Sequence, residues 1–248
     1  MICELVKKEQ PKEHIYDFTV LCPEMAEQAK AGQFLHILCG GDAYLRRPIS
    51  ICDVTEGKYL RFIFEVRGEG TKSLAEKKVG ESIDILGPLG NGFSLHPEDA
   101  EDALLIGGGI GIFPLLNLAK ELGNKPNVIL GFRNKDAVMM EDEFSAASSK
   151  LMIATDDGSY GFHGLVTDLL KQQMETGRVS HIYTCGPTPM MRAIAEIGKE
   201  HNIPVQVSLE ERMGCGVGAC VTCTCMVNGG RKRVCKDGPV FDGAEVEF

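Results

Sequence analysis

One stretch, Met213–Cys235, constrains this chain more than any other: MGCGVGACVTCTCMVNGGRKRVC. It holds Cys215, Cys220, Cys223, Cys225 and Cys235, half of the ten cysteines in the sequence. The first three have C-x4-C-x2-C spacing, and Cys235 follows a gap. Thiolates are soft, anionic ligands that suit iron or zinc. Gly214, Gly216 and Gly218, with Ala219, let the backbone wrap a bulky group, because glycine reaches left-handed torsions and carries no side chain. A fold that contains this segment must spend a loop on a ligand rather than on packing.

The spacing of the first three cysteines equals the plant-type pattern for a [2Fe–2S] cluster. A four-cysteine zinc site is the main rival, but its usual form is two C-x2-C-like pairs far apart. A disulfide cluster needs an oxidising compartment, and nothing here suggests export. The fourth ligand is less determined. In an extended segment Cys223 and Cys225 would share a face, so Cys225 stays open on geometry. Cys235 is preferred because a ligand returning from a hairpin, with its turn at Asn228-Gly229-Gly230, would enclose the cluster better.

A chain of 248 residues can hold one large domain or two to three small ones. Its net charge of −9 argues against a nucleic-acid or anionic-membrane surface. Arg231-Lys232-Arg233 is a local basic knot, read as a solvated turn. The segment MICELVKKEQ lacks the apolar core of a signal peptide. The apolar segment Leu104–Ala119 is too short for a membrane span and is broken by glycine and proline. Free cysteines without an export signal lead us to expect a reducing cytoplasm.

Residues 1–99 read as β structure. Apolar runs at His14–Leu21, Gln33–Leu38, Ile49–Val54, Tyr59–Val66 and Ser82–Leu86 alternate with turn residues such as Ala31-Gly32, Gly40-Gly41-Asp42 and Gly87-Pro88. Strands at this spacing predict a small antiparallel barrel. Over residues 100–208 the rhythm changes. Strands at Ala103–Ile106, Val128–Phe132, Leu151–Thr155, Ile182–Thr184 and Val205–Ser208 alternate with helices at Phe113–Leu122, Glu141–Ala147, Leu165–Glu175 and Met190–Glu200. That alternation predicts a parallel sheet covered on both faces. The predicted fold class is therefore an antiparallel Greek-key β barrel (1–99), a parallel-sheet α/β nucleotide domain (100–208) and a small cysteine-rich subdomain (209–248).

Gly107-Gly108-Gly109-Ile110-Gly111-Ile112-Phe113-Pro114 joins a strand to a helix. A dinucleotide pyrophosphate lands at such a junction, where glycines permit close approach and the helix start offers N–H groups. Gly107, Gly109 and Gly111 are the candidate contacts. No acidic ribose anchor ends the second strand; Arg133 does, with Asp136 beyond, so NAD against NADP is open on the residues. Cys185-Gly186-Pro187 ends another strand of the same sheet, where Cys185 could face a nicotinamide or simply fill a buried turn. Asp156-Asp157-Gly158-Ser159 has the same two readings. In the barrel region, Arg47 of Arg46-Arg47-Pro48-Ile49-Ser50 offers a planar fork to phosphate. Ser50 offers a hydroxyl to a flavin. Gly68-Glu69-Gly70-Thr71 reads as a second phosphate cradle, opening a short helix. Together they suggest a site for flavin adenine dinucleotide.

With these pieces in view the chain resembles the ferredoxin–NADP reductase superfamily, through R-P-I-S, G-E-G-T, G-G-G-I-G-x-x-P and C-G-P. The tail G-C-G-V-G-A-C-V-T-C, followed by V-C-K-D-G-P-V-F, is similar to one branch, the electron-transfer subunits of type B dihydroorotate dehydrogenase. The resemblance implies a barrel binding FAD, a domain binding NAD and a C-terminal [2Fe–2S] cluster. Arg47 and Ser50 would hold the flavin, with Pro48 and Ile49 shaping the loop. Ile63, Phe64 and Glu65 would line it, Gly70 and Thr71 would hold its pyrophosphate, and Cys215, Cys220, Cys223 and Cys235 would bind iron. It further implies a partner subunit carrying FMN and the dihydroorotate site, two copies of each. Because electron transfer requires a short path, the face near the cluster, Met213–Val217, is expected to dock it. Consistently, no base or nucleophile for pyrimidine oxidation stands out. The six histidines, His14, His36, His96, His163, His181 and His201, are expected to be structural or on the surface. Two alternatives remain: a subunit of another flavin reductase, of the ferredoxin oxidoreductase or sulfide dehydrogenase type, and a zinc-stapled binding module without activity.

Overall fold

The computed structural model describes residues 1–41, 44–123 and 125–248; Asp42, within one expected turn, lies outside the described residues. The chain forms two compact units, 1–92 with 210–225 and 231–239, and 93–209 with 226–230 and 240–248. The cysteine-rich segment contributes to both.

In the first unit six strands close a barrel: β1 (Ile2–Lys12), β2 (Ile15–Leu21), β3 (Phe34–Leu38), β4 (Arg47–Thr55), β5 (Tyr59–Glu65) and β6 (Ser82–Leu89). Their order, β1-β2-β5-β4-β3-β6, is antiparallel throughout and includes the non-sequential neighbours of a Greek key. Period-two alternation builds the interior from Phe18, Val20, Leu35, Ile37, Ile49, Ile51, Phe62, Phe64, Ile83 and Ile85. Two short helices, α1 (Pro23–Ala26) and α2 (Glu69–Ala75), follow β2 and β5. Strand β1 was not expected. Its sequence, ICELVKKEQPK, buries only Cys3 and Leu5, too few apolar positions to register as a strand. It is held instead by ladders to β2 on one side and β6 on the other.

The second unit is a seven-stranded sheet built on β7 (Ala103–Gly108), β8 (Asn127–Phe132), β9 (Lys150–Thr155), β10 (Phe162–His163), β11 (His181–Cys185) and β12 (Val205–Ser208). These run parallel, with helices α3 (Phe113–Glu121), α4 (Glu141–Ala146), α5 (Val166–Thr176) and α6 (Thr188–His201) between them. Every residue of β7 is buried, as a central parallel strand requires. Each expected strand and helix is observed, and the two-residue strand β10, between β9 and α5, was not expected. A difference lies at the edge. After the hairpin of β13 (Thr224–Val227) and β14 (Gly230–Arg233), the chain adds β15 (Val240–Asp242) antiparallel to β12. The expected hairpin turn is present, with Asn228 and Gly229 at φ 50° and 70°, the left-handed pair a two-residue turn demands. Among the described residues no helix is long and apolar enough to cross a membrane.

Candidate functional site

The cysteine loop belongs to the first unit, and its backbone points donors at its own sulfurs. The N–H groups of Val217, Ala219 and Cys220 donate to Cys215 Sγ at 3.4, 3.2 and 3.4 Å. Gly218 N–H donates to Cys235 Sγ at 3.1 Å, and Cys235 N–H to Cys223 Sγ at 3.4 Å. Gly216 and Gly218 make this possible, at φ 73° and 83°. These backbone bonds link the cysteines in two pairs, Cys215 with Cys220 and Cys223 with Cys235. The outer pair is readily ionised: the Thr222 hydroxyl and backbone N–H groups bring Cys220 down to about 6, and the Cys220 N–H lowers Cys215. Cys235 is the reverse, since burial, then Cys223, pushes it up to about 12. A thiolate there requires a cation to accompany it. Among the described residues no three His, Cys, Asp or Glu side chains converge on a single-ion site.

Neighbouring backbone pins the loop. Arg233 binds the Asp237 carboxylate and donates to the Gly218 carbonyl at 3.2 Å. Asn91, just past the barrel, donates its amide to the carbonyls of Lys236 and Asp237, both at 3.1 Å. Cys223 lies in a turn and the strand starts only at Thr224, so the segment is extended from Thr224 on; Cys225 is half-buried, and burial raises its thiol above the usual range.

On the barrel, the two arginines have different tasks. Arg46 is tied to the Asp84 carboxylate at 2.8 Å and so serves the fold. The Arg47 guanidinium lies over Gly70 in the first turn of α2; a Cβ on Gly70 would stand 3.1 Å from its Nε, Cζ and Nη2. A cation thus sits beside helix-start N–H groups, two positive features that an anion would reconcile. The Thr71 hydroxyl accepts from the N–H groups of Arg67 and Gly68 at 2.9 and 3.3 Å, so it organises the turn entering α2. Pro48 and Ser50 are half-buried, whereas Ile49 between them points into the barrel core. Ile63 is buried and Glu65 pairs with Arg67. The Phe64 ring stacks on Tyr16 and meets Phe18 edge-on inside the barrel, so this position offers a ligand its backbone.

In the second unit, strand order reverses between β7 and β11, and ligands of open parallel sheets bind at such reversals, beyond the strand ends. Gly107 pairs with Cys185 in register. The two turns that follow are in backbone contact: a Cβ on Gly111 would lie 2.5 Å from Gly186 Cα and 2.6 Å from the Cys185 carbonyl oxygen. Gly109 is different, at φ 57° with open space around it. The glycine loop and Cys185-Gly186 therefore form one crevice floor, with Cys185 buried. Arg133 and Asp136 are exposed beyond β8. Asp157 receives the N–H and hydroxyl of Ser159, which hold its carboxyl below the usual range, and Ser159 accepts from Lys135 N–H. That stretch is a self-supported turn.

Sequence reasoning missed Thr222 and His36. Neither has a spacing signal; His36 is an isolated histidine among six. In the structure it is buried against Gly216 of the cysteine loop.

Residues 210–247 match the iron-sulfur cluster binding domain of dihydroorotate dehydrogenase B, and residues 105–196 match the oxidoreductase NAD-binding domain. The electron transfer subunit of dihydroorotate dehydrogenase B (NAD(+)) from Geobacillus kaustophilus is 46% identical, covering 94% of this chain and 93% of that one. Its counterpart from Geobacillus thermodenitrificans is 46% identical over 98% and 96%. A solved NADH-dependent reduced ferredoxin-NADP oxidoreductase, studied for flavin-based electron bifurcation, superposes with a TM-score of 0.88 at 34% identity, covering 100% of this chain and 90% of that one. A loop that pairs four thiols, a barrel with an anion cradle and a reversed parallel sheet agree with these matches, and the chain belongs to the family of electron transfer subunits of dihydroorotate dehydrogenase B (NAD(+)).

Proposed function

We propose that this chain conducts electrons from the FMN of a dihydroorotate dehydrogenase catalytic subunit to NAD+, through a [2Fe–2S] cluster and FAD, in pyrimidine biosynthesis, within an assembly of two copies of each subunit. The observation that carries the reading is the backbone linkage of Cys220 to Cys215 and of Cys235 to Cys223 in a loop whose N–H groups face the sulfurs. Two thiolate pairs suit two irons, and buried Cys235 needs positive charge to ionise. When bound, the cluster supplies single-electron transfer, the flavin exchange of one or two electrons, and the nicotinamide uptake of a hydride.

The chain's own residues bind and orient. Arg47 and the first turn of α2, with Gly70 and Thr71, would hold the flavin pyrophosphate. Ser50 and Pro48 would border the ring system, and the Ile63–Glu65 strand would serve it through backbone. Gly107, Gly109 and Gly111 would take the NAD pyrophosphate, with Cys185-Gly186 beneath the nicotinamide. Functionally we assign 1–99 to FAD, 100–208 to NAD and 209–248 to the cluster. Val217 and Val221, 49% and 61% exposed, flank the ligands and would meet the partner.

The whole-chain likeness to the NADH-dependent ferredoxin-NADP oxidoreductase favours a second reading, a subunit of another flavin reductase. Anaerobic co-purification from the source cell decides. An FMN partner, dihydroorotate-dependent NAD+ reduction and bound iron, sulfide and FAD support the first reading. A larger partner with FAD and [4Fe–4S] clusters supports the second. Zinc in place of iron with no flavin would refute both.

A further inference from the structure

His36 sits in β3, opposite Pro48 of β4, while its neighbours Leu35 and Ile37 fill the barrel core. Its side chain therefore shares the outer wall with Pro48 and Ser50. It is nevertheless only 1% exposed, because the cysteine loop lies on it: a Cβ on Gly216 would stand 2.5 Å from its Nδ1. Neither ring nitrogen has a hydrogen-bond partner, although the backbone carbonyls of Arg46 and Cys215 border the ring. Buried polar groups are normally satisfied, and a leucine or phenylalanine would fill this space without an orphan. The residue type thus points to a partner that arrives with the cofactors.

We propose that His36 is a positioning residue that links the cluster loop to the flavin-binding wall. Its ring, between Gly216 and the Pro48–Ser50 face, fixes where Cys215 presents its sulfur, and its N–H completes the outer hydrogen-bond shell of the loaded loop. Outer-shell partners of this kind orient ligands, and their loss costs about 10–100-fold in metal affinity or activity. The inference rests on the cluster-and-flavin reading above.

The test uses the full chain with its catalytic partner, prepared anaerobically. Wild-type protein is first analysed for iron, sulfide and flavin, and for flavin reduction by NADH; failure there refutes the underlying reading, not the role of His36. His36→Phe keeps a ring but removes the N–H, and His36→Gln restores a donor. His36→Phe should keep its flavin and the wild-type rate of flavin reduction by NADH. Its cluster should show shifted EPR g-values, and electron passage from flavin to cluster should slow about 10–100-fold, with recovery in His36→Gln. Wild-type EPR and transfer in His36→Phe would overturn the proposal. So would equal loss of the cluster in both variants, which would mean that the N–H restored in His36→Gln contributes nothing.

Discussion

Gly111→Ala probes the crevice of the nucleotide unit at its tightest point. The added methyl would lie 2.5 Å from Gly186 Cα, 2.6 Å from Gly186 N and 2.6 Å from the Cys185 carbonyl oxygen. All three are backbone atoms at the end of a central strand, so no side chain can swing away. Ordinary carbon contacts are about 3.5–4.0 Å, so the turns must part by about 1 Å. Overpacking of this order costs roughly 1–3 kcal/mol. Gly123→Ala, outside the candidate site, is the internal control. It meets nothing within 4 Å, and its cost is only that of a left-handed torsion at φ 74°, about 1–2 kcal/mol. Both variants should lose some stability, but only Gly111→Ala should deform the floor on which the nicotinamide would lie. If about 1.4 kcal/mol of its strain is expressed there, NADH binds about tenfold more weakly. The assay is NADH-dependent dye reduction by the flavin, giving KM and kcat, alongside thermal unfolding and iron and flavin content. Iron and flavin should be unchanged in both. Equal NADH KM values for the two variants would refute the contact argument.

Cys235→Ser should lose iron and sulfide while FAD stays bound, and Cys225→Ser should keep both; metal analysis reads the difference, and the reverse pattern would move the fourth ligand to Cys225. Arg47→Met removes charge-assisted bonds worth about 1.5–3 kcal/mol, so FAD should dissociate roughly 10–100-fold more readily on dilution, followed by flavin fluorescence. Asp17→Asn breaks the pair in which Arg61 Nε and Nη2 clasp a carboxylate only 8% exposed, at a cost of about 3 kcal/mol and a fall in unfolding midpoint of roughly 6–12 °C. Asp84 titrates below the usual carboxylate range because Arg46 donates to it. Its contribution is present above the ordinary carboxylate value and fades as pH falls through the lowered one, so Asp84→Asn should flatten acid destabilisation measured by denaturant melts.

Much of this was legible because periodicity and glycine placement are local. The βα rhythm of residues 103–208 follows from apolar runs of the right length, and the cysteine loop from ligand spacing. The rest depended on non-local pairing. Strand β1 carries Lys7, Lys8, Glu9 and Gln10, and only its two ladders make it a strand. The inward turn of Phe64 follows from register with β2, where Tyr16 is its partner. His36 gains its place from a loop nearly two hundred residues away in sequence, which no spacing rule anticipates. The different tasks of Arg46 and Arg47 separate only when Asp84 and Gly70 appear beside them.

Strand β15 has a consequence of its own. A parallel sheet that stopped at β12 would present an open row of unpaired amides, a template for sticking to other chains. Val240–Asp242 caps that row, with Val207 facing Phe241. The tail beyond the last cysteine thus doubles as a guard against aggregation, and trimming it should yield protein that clumps even with every cofactor-binding residue intact.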